Sequence, residues 1–303
     1  MSATHISVRR VLIVANPQAR RYAPRKIAAI AAALARKNCE VAQEISQARG
    51  DIERIVAARG AGFDAIAAHG GDGTINETLS GLRAICGAQP ALALIPGGTI
   101  NVLAIETGAA RGAHEIAETI AAGRIAPLHY GLANGRPFVL MASAGLDATV
   151  VAATSPRLKA RLGGLAYLAT AVAHTFGART PDIRVTAGGE TIRCRLAICA
   201  NAARYGGNFL IAPQTGATRP GLALALVADD GFFALLRIGA RMLGGRGISG
   251  AGVRVIEVNQ ARLEAEGATG GPEVAVQIDG DPFGTTPVEA VCADAPVRLI
   301  VKG

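Results

Sequence analysis

One stretch limits the fold more than any other: Gly70-Gly71-Asp72-Gly73-Thr74-Ile75-Asn76-Glu77. A mainly apolar run over residues 64–68 precedes it and reads as a buried strand. Ile75, Leu79 and Leu82 follow at the spacing of one inward helix face. The stretch is therefore a strand, a glycine turn and a helix in succession. Glycine there permits positive φ and leaves no Cβ between the backbone and a ligand. The first N–H groups of the helix have no internal partner and face any bound anion. Asp72 adds a carboxylate able to hold Mg2+ beside a phosphate, and Thr74 adds a hydroxyl donor. The same residues also suit a plain tight connection with Asp72 and Thr74 as caps. Three glycines combined with a carboxylate and a hydroxyl favour the phosphate site.

Strands and helices alternate on both sides of this junction. Residues 11–15 and 40–45 read as strands. Residues 24–37 and 51–59 read as helices, the first opening at Pro24 and the second capped by Asp51. Residues 91–95 form a short apolar strand ending at Pro96, and residues 113–122 a helix. This alternation gives an α/β fold with a doubly wound parallel sheet over residues 1–128. Ligands of such sheets bind beyond the carboxyl ends of the strands. Asn16, residues 70–74 and residues 97–99 all lie there. Past Leu128 the apolar period becomes two, at residues 191–199, 222–226 and 274–278, with 137–143 also strand-like. Residues 129–303 are expected to form a C-terminal, mainly antiparallel β-sandwich domain. Helices at 155–176 and 232–243 and a mobile glycine-rich loop at 244–252 would interrupt it.

Composition serves mainly to exclude. Five cysteines without a CxxC pair point to a reducing cytosol rather than a disulfide framework. No run approaches ~18 uninterrupted apolar residues, so no transmembrane helix is expected. Nor is a signal peptide. The net charge of +8 suits nucleotides, anionic membranes or nucleic acid. With no nucleic-acid motif and only 4% aromatic residues, nucleic acid is set aside. No GxxxxGK[ST], HExxH, GxSxG or Cys/His metal cluster occurs. Gly60-Ala61-Gly62 precedes a strand, the wrong order for a dinucleotide fingerprint.

Three motifs in order carry a family resemblance: GGDGTINE at residues 70–77, Pro96-Gly97-Gly98-Thr99-Ile100-Asn101, and Asp279-Gly280-Asp281. Together they resemble the diacylglycerol kinase catalytic family, which includes bacterial lipid kinases, sphingosine kinases and ceramide kinases. The resemblance runs from about residue 11 to about residue 301. It implies transfer of the ATP γ-phosphate to a lipid hydroxyl with Mg2+. The expected setting is cytoplasmic, with peripheral association at the inner, anionic face of the cytoplasmic membrane. A homodimer is among the arrangements it allows. By the same resemblance Asn16, Ser46, Gly70, Gly71, Asp72, Gly73, Thr74, Asn76 and Thr99 border the nucleotide. Asp72 is expected to hold Mg2+ and to be one of three catalytic carboxylates. The resemblance implies that Asp279 is the general base for the lipid hydroxyl and that Asp281 is the third catalytic carboxylate, where the family usually has Glu.

Several positions depart from the family pattern. After Asn16-Pro17 the family usually continues to a Ser-Gly pair, whereas this chain reads Gln18-Ala19-Arg20-Arg21. Arg20 is a phosphate-binding candidate or a solvated turn residue. His129 stands where the family often has Asp, and Arg219-Pro220-Gly221 where many members have Asp-Asp-Gly. The accessory metal site some members build there is expected to be absent. Two rivals share part of this pattern. NAD kinases carry GGDGT, but the PGGTIN and DGD motifs argue against them. A lipid-binding pseudokinase would be consistent with His129 and the altered turn. His69 and His174 read as structural. Arg157, Lys159 and Arg161, and further on Arg237, Arg241, Arg246 and Arg254, sit beside leucines in spans without acidic residues. They suit either docking on anionic lipid or ordinary core helices with solvated arginines.

Overall fold

The computed structural model describes residues 4–153, 181–207, 209–229, 231–243, 247–250, 252–267 and 273–303. The helix expected at 155–176 lies outside them, with Arg157, Lys159, Arg161 and His174, and the 244–252 loop is described only in part. The chain divides into two units, Met1–Leu128 with Ala295–Gly303, and His129–Asp294.

In the first unit β1 (Thr4–His5) is followed by β2 (Arg10–Ala15), β3 (Glu40–Ile45), β4 (Ala65–Gly70), β5 (Ala91–Pro96) and β6 (Arg124–Leu128). Parallel pairing sets β5, β4, β2 and β3 side by side in that order. The helices are α1 (Pro24–Ala35), α2 (Asp51–Arg59), α3 (Asp72–Arg83), α4 (Val102–Glu106) and α5 (Ala113–Ala122). Buried Ile27, Ile30 and Leu34 place one face of α1 in the core, and Ile75, Leu79 and Leu82 do the same for α3. One expected cap moves. Gly50, left-handed at φ 83°, is the N-cap of α2, and Asp51 is the first helical residue. Asp51 Oδ2 instead accepts the N–H groups of Gln47 and Ala48 at 2.7 and 2.8 Å. That ties down the loop carrying Ser46.

The far side of this sheet departs from the expected domain limits. A strand near the C-terminus, Val297–Ile300 (β21 in chain order), pairs parallel with β5 and antiparallel with β6. Residues 295–303 therefore belong to the first unit, not to a second domain spanning 129–303. Alternating apolar residues report that a strand is buried, not which sheet receives it.

The second unit holds two six-stranded antiparallel sheets. One runs β11 (Glu190–Cys194), β10 (Ile183–Ala187), β17 (Gln260–Ala265), β20 (Val288–Cys292), β7 (Gly131–Ala133) and β8 (Arg136–Phe138). The other runs β16 (Val253–Val258), β15 (Leu222–Val227), β12 (Leu196–Ala200), β9 (Met141–Gly145), β18 (Ala275–Ile278) and β19 (Asp281–Thr285). Phe138, Val185 and Leu263 of the first sheet share a core with Leu224, Val276 and Ile278 of the second. The second unit also has a hairpin of β13 (Arg204–Gly206) and β14 (Phe209–Leu210) and helices α6 (Leu146–Ala153) and α7 (Phe232–Leu243).

Two expected strands are each broken in two. Residues 191–199 divide at Arg195 because β11 and β12 belong to different sheets. Residues 137–143 divide at Val139 and Leu140 for the same reason, between β8 and β9. A chain that crosses between the two layers keeps its alternation, so the break is not visible as a change of period.

Leu299 is fully buried and pairs with Leu92 on one side and Ala126 on the other. Leu299→Ala is expected to cost about 2–5 kcal/mol in denaturant unfolding. An unchanged unfolding midpoint would place the C-terminal strand outside the core of the first unit.

Candidate functional site

In the first unit the loops after β2, β4 and β5 meet backbone to backbone. Gly97 and Gly98 both donate N–H to the Gly70 carbonyl, at 2.8 and 3.1 Å. A Cβ on Gly98 would stand 2.6 Å from Gly71 Cα, and one on Gly70 would stand 2.1 Å from Thr74 Oγ1. The two glycine motifs are thus one interlocked feature, closed only because side chains are missing. His69 joins the third loop to them. It is fully buried. Its Nδ1 donates to the Ile95 carbonyl at 3.1 Å, and its Nε2 accepts the Ala23 N–H at 3.4 Å. Asn16 N–H donates to the His69 carbonyl at 3.0 Å. These bonds require a neutral ring, and burial pushes the His69 pKa down in agreement.

Asp72 serves α4 as well as the turn it belongs to. Its Oδ2 accepts the Val102 N–H at 3.0 Å and its Oδ1 the Leu103 N–H at 3.1 Å. These are the first residues of α4, so the carboxylate satisfies orphan donors and meets the positive end of the helix. Burial raises the Asp72 pKa, and the two N–H donors oppose that rise. Thr99 is exposed and does not cap α4. The N-cap is Asn101, left-handed at φ 56°. Its Oδ1 accepts the Gly98 N–H at 2.7 Å and its Nδ2 donates to the Gly98 carbonyl at 2.9 Å.

The other sequence-derived residues fall into two groups. Thr74, Asn76 and Ser46 are buried. Asn16 Nδ2 donates to Thr74 Oγ1 at 3.4 Å, and Asn16 Oδ1 accepts the Gln18 N–H at 2.8 Å. These groups shape the loops. Gly73, Thr99 and Arg20 are exposed. They are the members of the set that reach the surface. Among the described residues no three His, Cys, Asp or Glu side chains are grouped to hold a metal. Mg2+ needs few protein carboxylates, because water and phosphate oxygens fill most of its shell. The Asp72 carboxylate keeps acceptor capacity beyond its two bonds to α4, so it fits that use.

In the second unit Asp279 and Gly280 form the two-residue turn joining β18 to β19. Both have positive φ, 50° and 84°, and Ile278 pairs with Asp281 across the hairpin. That is the backbone for which Asp-Gly is favoured. The side chain does more. Asp279 Oδ2 accepts the Val139 N–H at 2.9 Å, and Oδ1 accepts the Leu140 and Met141 N–H groups at 2.8 and 2.9 Å. The break in the expected 137–143 strand thus supplies three donors that orient this carboxylate. Asp281 follows, half-buried, at the start of β19.

A polar cluster behind this hairpin escaped the sequence reading. Ser143 Oγ donates to Asp147 Oδ1 at 2.6 Å, and the Tyr205 hydroxyl donates to Asp147 Oδ2 at 3.0 Å. Gln277 Nε2 donates to Ser143 Oγ at 2.8 Å and more distantly to Asp147 Oδ2 at 3.4 Å. Gln277 Oε1 accepts the Gly280 N–H at 2.7 Å. Ser143, Asp147 and Gln277 are all buried. Burial pushes the Asp147 pKa up against its hydrogen bonds. The readable signal was Gln277 itself, a polar residue at a core strand position one step from Ile278-Asp279. His129, at the position where the family often has Asp, uses its backbone: its N–H reaches the Ala217 carbonyl at 2.7 Å and its carbonyl accepts Asn201 Nδ2 at 2.9 Å.

Known proteins match both halves of the chain. The diacylglycerol kinase catalytic domain family matches residues 10–133. The YegS C-terminal NAD kinase beta sandwich-like domain family matches residues 141–301. A Pseudomonas aeruginosa protein named "Probable lipid kinase YegS-like" is 31% identical over 251 residues, 80% of this chain and 79% of that one. A Salmonella typhimurium protein named "Probable lipid kinase YegS" is 37% identical over 123 residues, 40% of this chain and 41% of its own length. Two Bacillus anthracis crystal structures bearing the name diacylglycerol kinase share the fold. Their TM-scores are 0.81 and 0.71 at 23% and 18% identity, with 98% of this chain covered in each case and 99% and 98% of theirs.

Two substitutions test this geometry. Asp72→Ala leaves the first N–H groups of α4 without their acceptor and is expected to cost about 1–3 kcal/mol in denaturant unfolding. Wild-type stability in that variant would mean α4 is capped by another group. Asp147 gives a pH test. Its folded pKa lies above the ordinary value of 3.8. Between those two values the folded state binds more protons than the unfolded state, so this residue lowers stability as pH rises through that window. In Asp147→Asn that decline should vanish from unfolding free energies measured from about pH 3.5 to 7. A wild-type to variant difference that is constant with pH would show that Asp147 does not titrate with folding.

Proposed function

The chain belongs to the diacylglycerol kinase catalytic family, and from that premise we propose that it transfers the ATP γ-phosphate to a lipid hydroxyl with Mg2+. The observation that carries the reading is the interlock of residues 70–74 with residues 96–101 at the carboxyl ends of β4 and β5. Phosphoryl transfer asks the protein mainly for positioning and charge neutralisation. The interlock holds the start of α3 open, with no side chain at Gly70, Gly71 or Gly73 to keep a phosphate away. Exposed Arg20 replaces the family's Ser-Gly pair with a guanidinium at the edge of this loop cluster. Asn16, Ser46, Thr74 and Asn76 set the loop shape, and Thr99 offers its hydroxyl to the nucleotide. Asp72 would hold Mg2+, which when bound neutralises charge on the transferred phosphate.

In this reading the lipid oxygen forms the new bond to the γ-phosphorus while the bond to the β-phosphate oxygen breaks and ADP leaves. Asp279 takes the hydroxyl proton. Three N–H donors and a two-residue turn fix where its oxygens lie before any substrate arrives. Asp281 supplies a second carboxylate one methylene shorter than the family's Glu. Diacylglycerol is the generic substrate of the family, and ceramide or a sphingoid base would present the same hydroxyl chemistry. No described helix is long and apolar enough to cross a membrane. We place the enzyme peripherally at the inner face of the cytoplasmic membrane, where such a lipid would be met.

Radiolabelled ATP offered with lipids in mixed micelles and with NAD, followed by organic extraction, tests the reading. Label in the organic phase is expected. Label on NAD, or ATP binding with no transfer, would overturn it. Asp279→Asn is expected to lower kcat by roughly 10²–10⁴ with ATP affinity little changed. It also turns an NH2 group toward backbone donors, so a loss of about 1–3 kcal/mol of stability should accompany the kinetic effect. A folded Asp279→Asn enzyme with near-normal kcat would remove Asp279 as the base.

A further inference from the structure

Four large hydrophobic side chains are exposed: Ile45, Phe209, Phe233 and Leu236. The last three belong to one corner, where α7 packs against β14. On α7 the outward stripe is Phe233, Leu236, Arg237 and Ala240, spaced i, i+3, i+4 and i+7. Ala234 and Ile238 face inward, and Arg241 is half-buried. Phe233 is 79% exposed and Leu236 59%. An amphipathic helix on a globular protein turns its apolar stripe to the core. Here apolar residues line both the inward and the outward stripe, with an arginine in the outward one.

The charge around the corner is one-sided. From Gly231 to Ile256 the sequence has no acidic residue. Arg237 is exposed, and Arg241 Nη2 donates to the Ser249 carbonyl at 2.6 Å, so its guanidinium lies along the neighbouring loop. Arg254 is paired with Glu190 at 2.9 Å, which offsets its charge. Asp229, whose Oδ1 accepts the Gly231 N–H at 2.9 Å, precedes the helix.

We propose that the β14–α7 corner is the surface by which this protein docks on an anionic lipid bilayer. Phe209, Phe233 and Leu236 enter the boundary between headgroups and acyl chains, and Arg237 and Arg241 meet lipid phosphates. Separate apolar knobs with cations beside them suit a bilayer, which yields around each side chain and carries the opposite charge. The inference deepens the lipid-kinase reading and rests on it for why the protein visits a membrane.

The chain contains no tryptophan, so Leu236→Trp is a single fluorescent reporter. With phosphatidylglycerol vesicles its emission is expected to move to shorter wavelength and to be quenched by brominated lipid. Ile45→Trp, exposed on the first unit, should do neither. The double variant Phe233→Asp, Leu236→Asp should lower partitioning onto these vesicles at least about tenfold, while turnover of a short-chain soluble lipid persists. An unshifted Leu236→Trp spectrum, or wild-type partitioning of the double variant, would overturn the surface. So would a double variant that loses a dimer in sedimentation yet partitions normally, because the corner would then bind a second copy of the chain. Partitioning with no phosphate transfer to any lipid would sustain the docking surface and overturn the lipid-kinase reading instead.

Discussion

The approach of Gly71 to Gly98 governs the loop end of the first unit. At that distance there is no room for a Cβ on Gly98. The consequence is larger than one contact. With the two turns closed, the Gly70 carbonyl meets two N–H donors, and Asp72 reaches the first residues of α4. A side chain at Gly98 would therefore disturb the start of α3 and the cap of α4 together. The surface where these loops meet is made largely of backbone, and its shape is set by where side chains are missing.

The second unit uses the same device in a different fold. Asp279, like Asp72, gathers backbone N–H groups from a segment remote in sequence, at residues 139–141. In each case a carboxylate proposed for chemistry is also a fastener. At both sites backbone N–H dipoles fix where the carboxylate oxygens lie. This arrangement also joins chemistry to stability. Removing either carboxylate strands buried donors, so a kinetic loss at these positions carries a structural part that must be measured separately.

Much of the fold was legible because burial leaves a period. Residues 40–45, 51–59 and 113–122 have the limits read from their pattern. The misses share one physical cause: a period reports a buried face and is silent about the partner. Val297–Ile300 alternates like any strand, yet its neighbours are β5 and β6 of the first sheet. Arg195 and Val139-Leu140 interrupt strands that change sheets while keeping alternation. The site shows the same limit. Residue types at Ser46, Thr74, Thr99 and Arg20 were readable, but not that the first two are buried and the last two exposed. Asp51 was read as a cap for the helix after it, and it binds the loop before it.

The buried cluster around Asp147 raises the question of why such a group is kept. A carboxylate taken out of water costs stability unless its hydrogen bonds offset the loss, and the raised pKa of Asp147 shows that burial outweighs them. An apolar side chain would avoid that cost. What it would not do is orient Gln277. An amide can turn either end toward a neighbour, and the two ends differ because the NH2 donates and the oxygen accepts. With the Ser143 hydroxyl and the Asp147 carboxylate beside it, Nε2 must face them, which leaves Oε1 for the Gly280 N–H. That bond braces a turn in which Asp279, a residue with a Cβ, is held at φ 50°. The buried carboxyl group therefore works through two neighbours. It selects the direction of an amide, and the amide holds the backbone on which Asp279 stands.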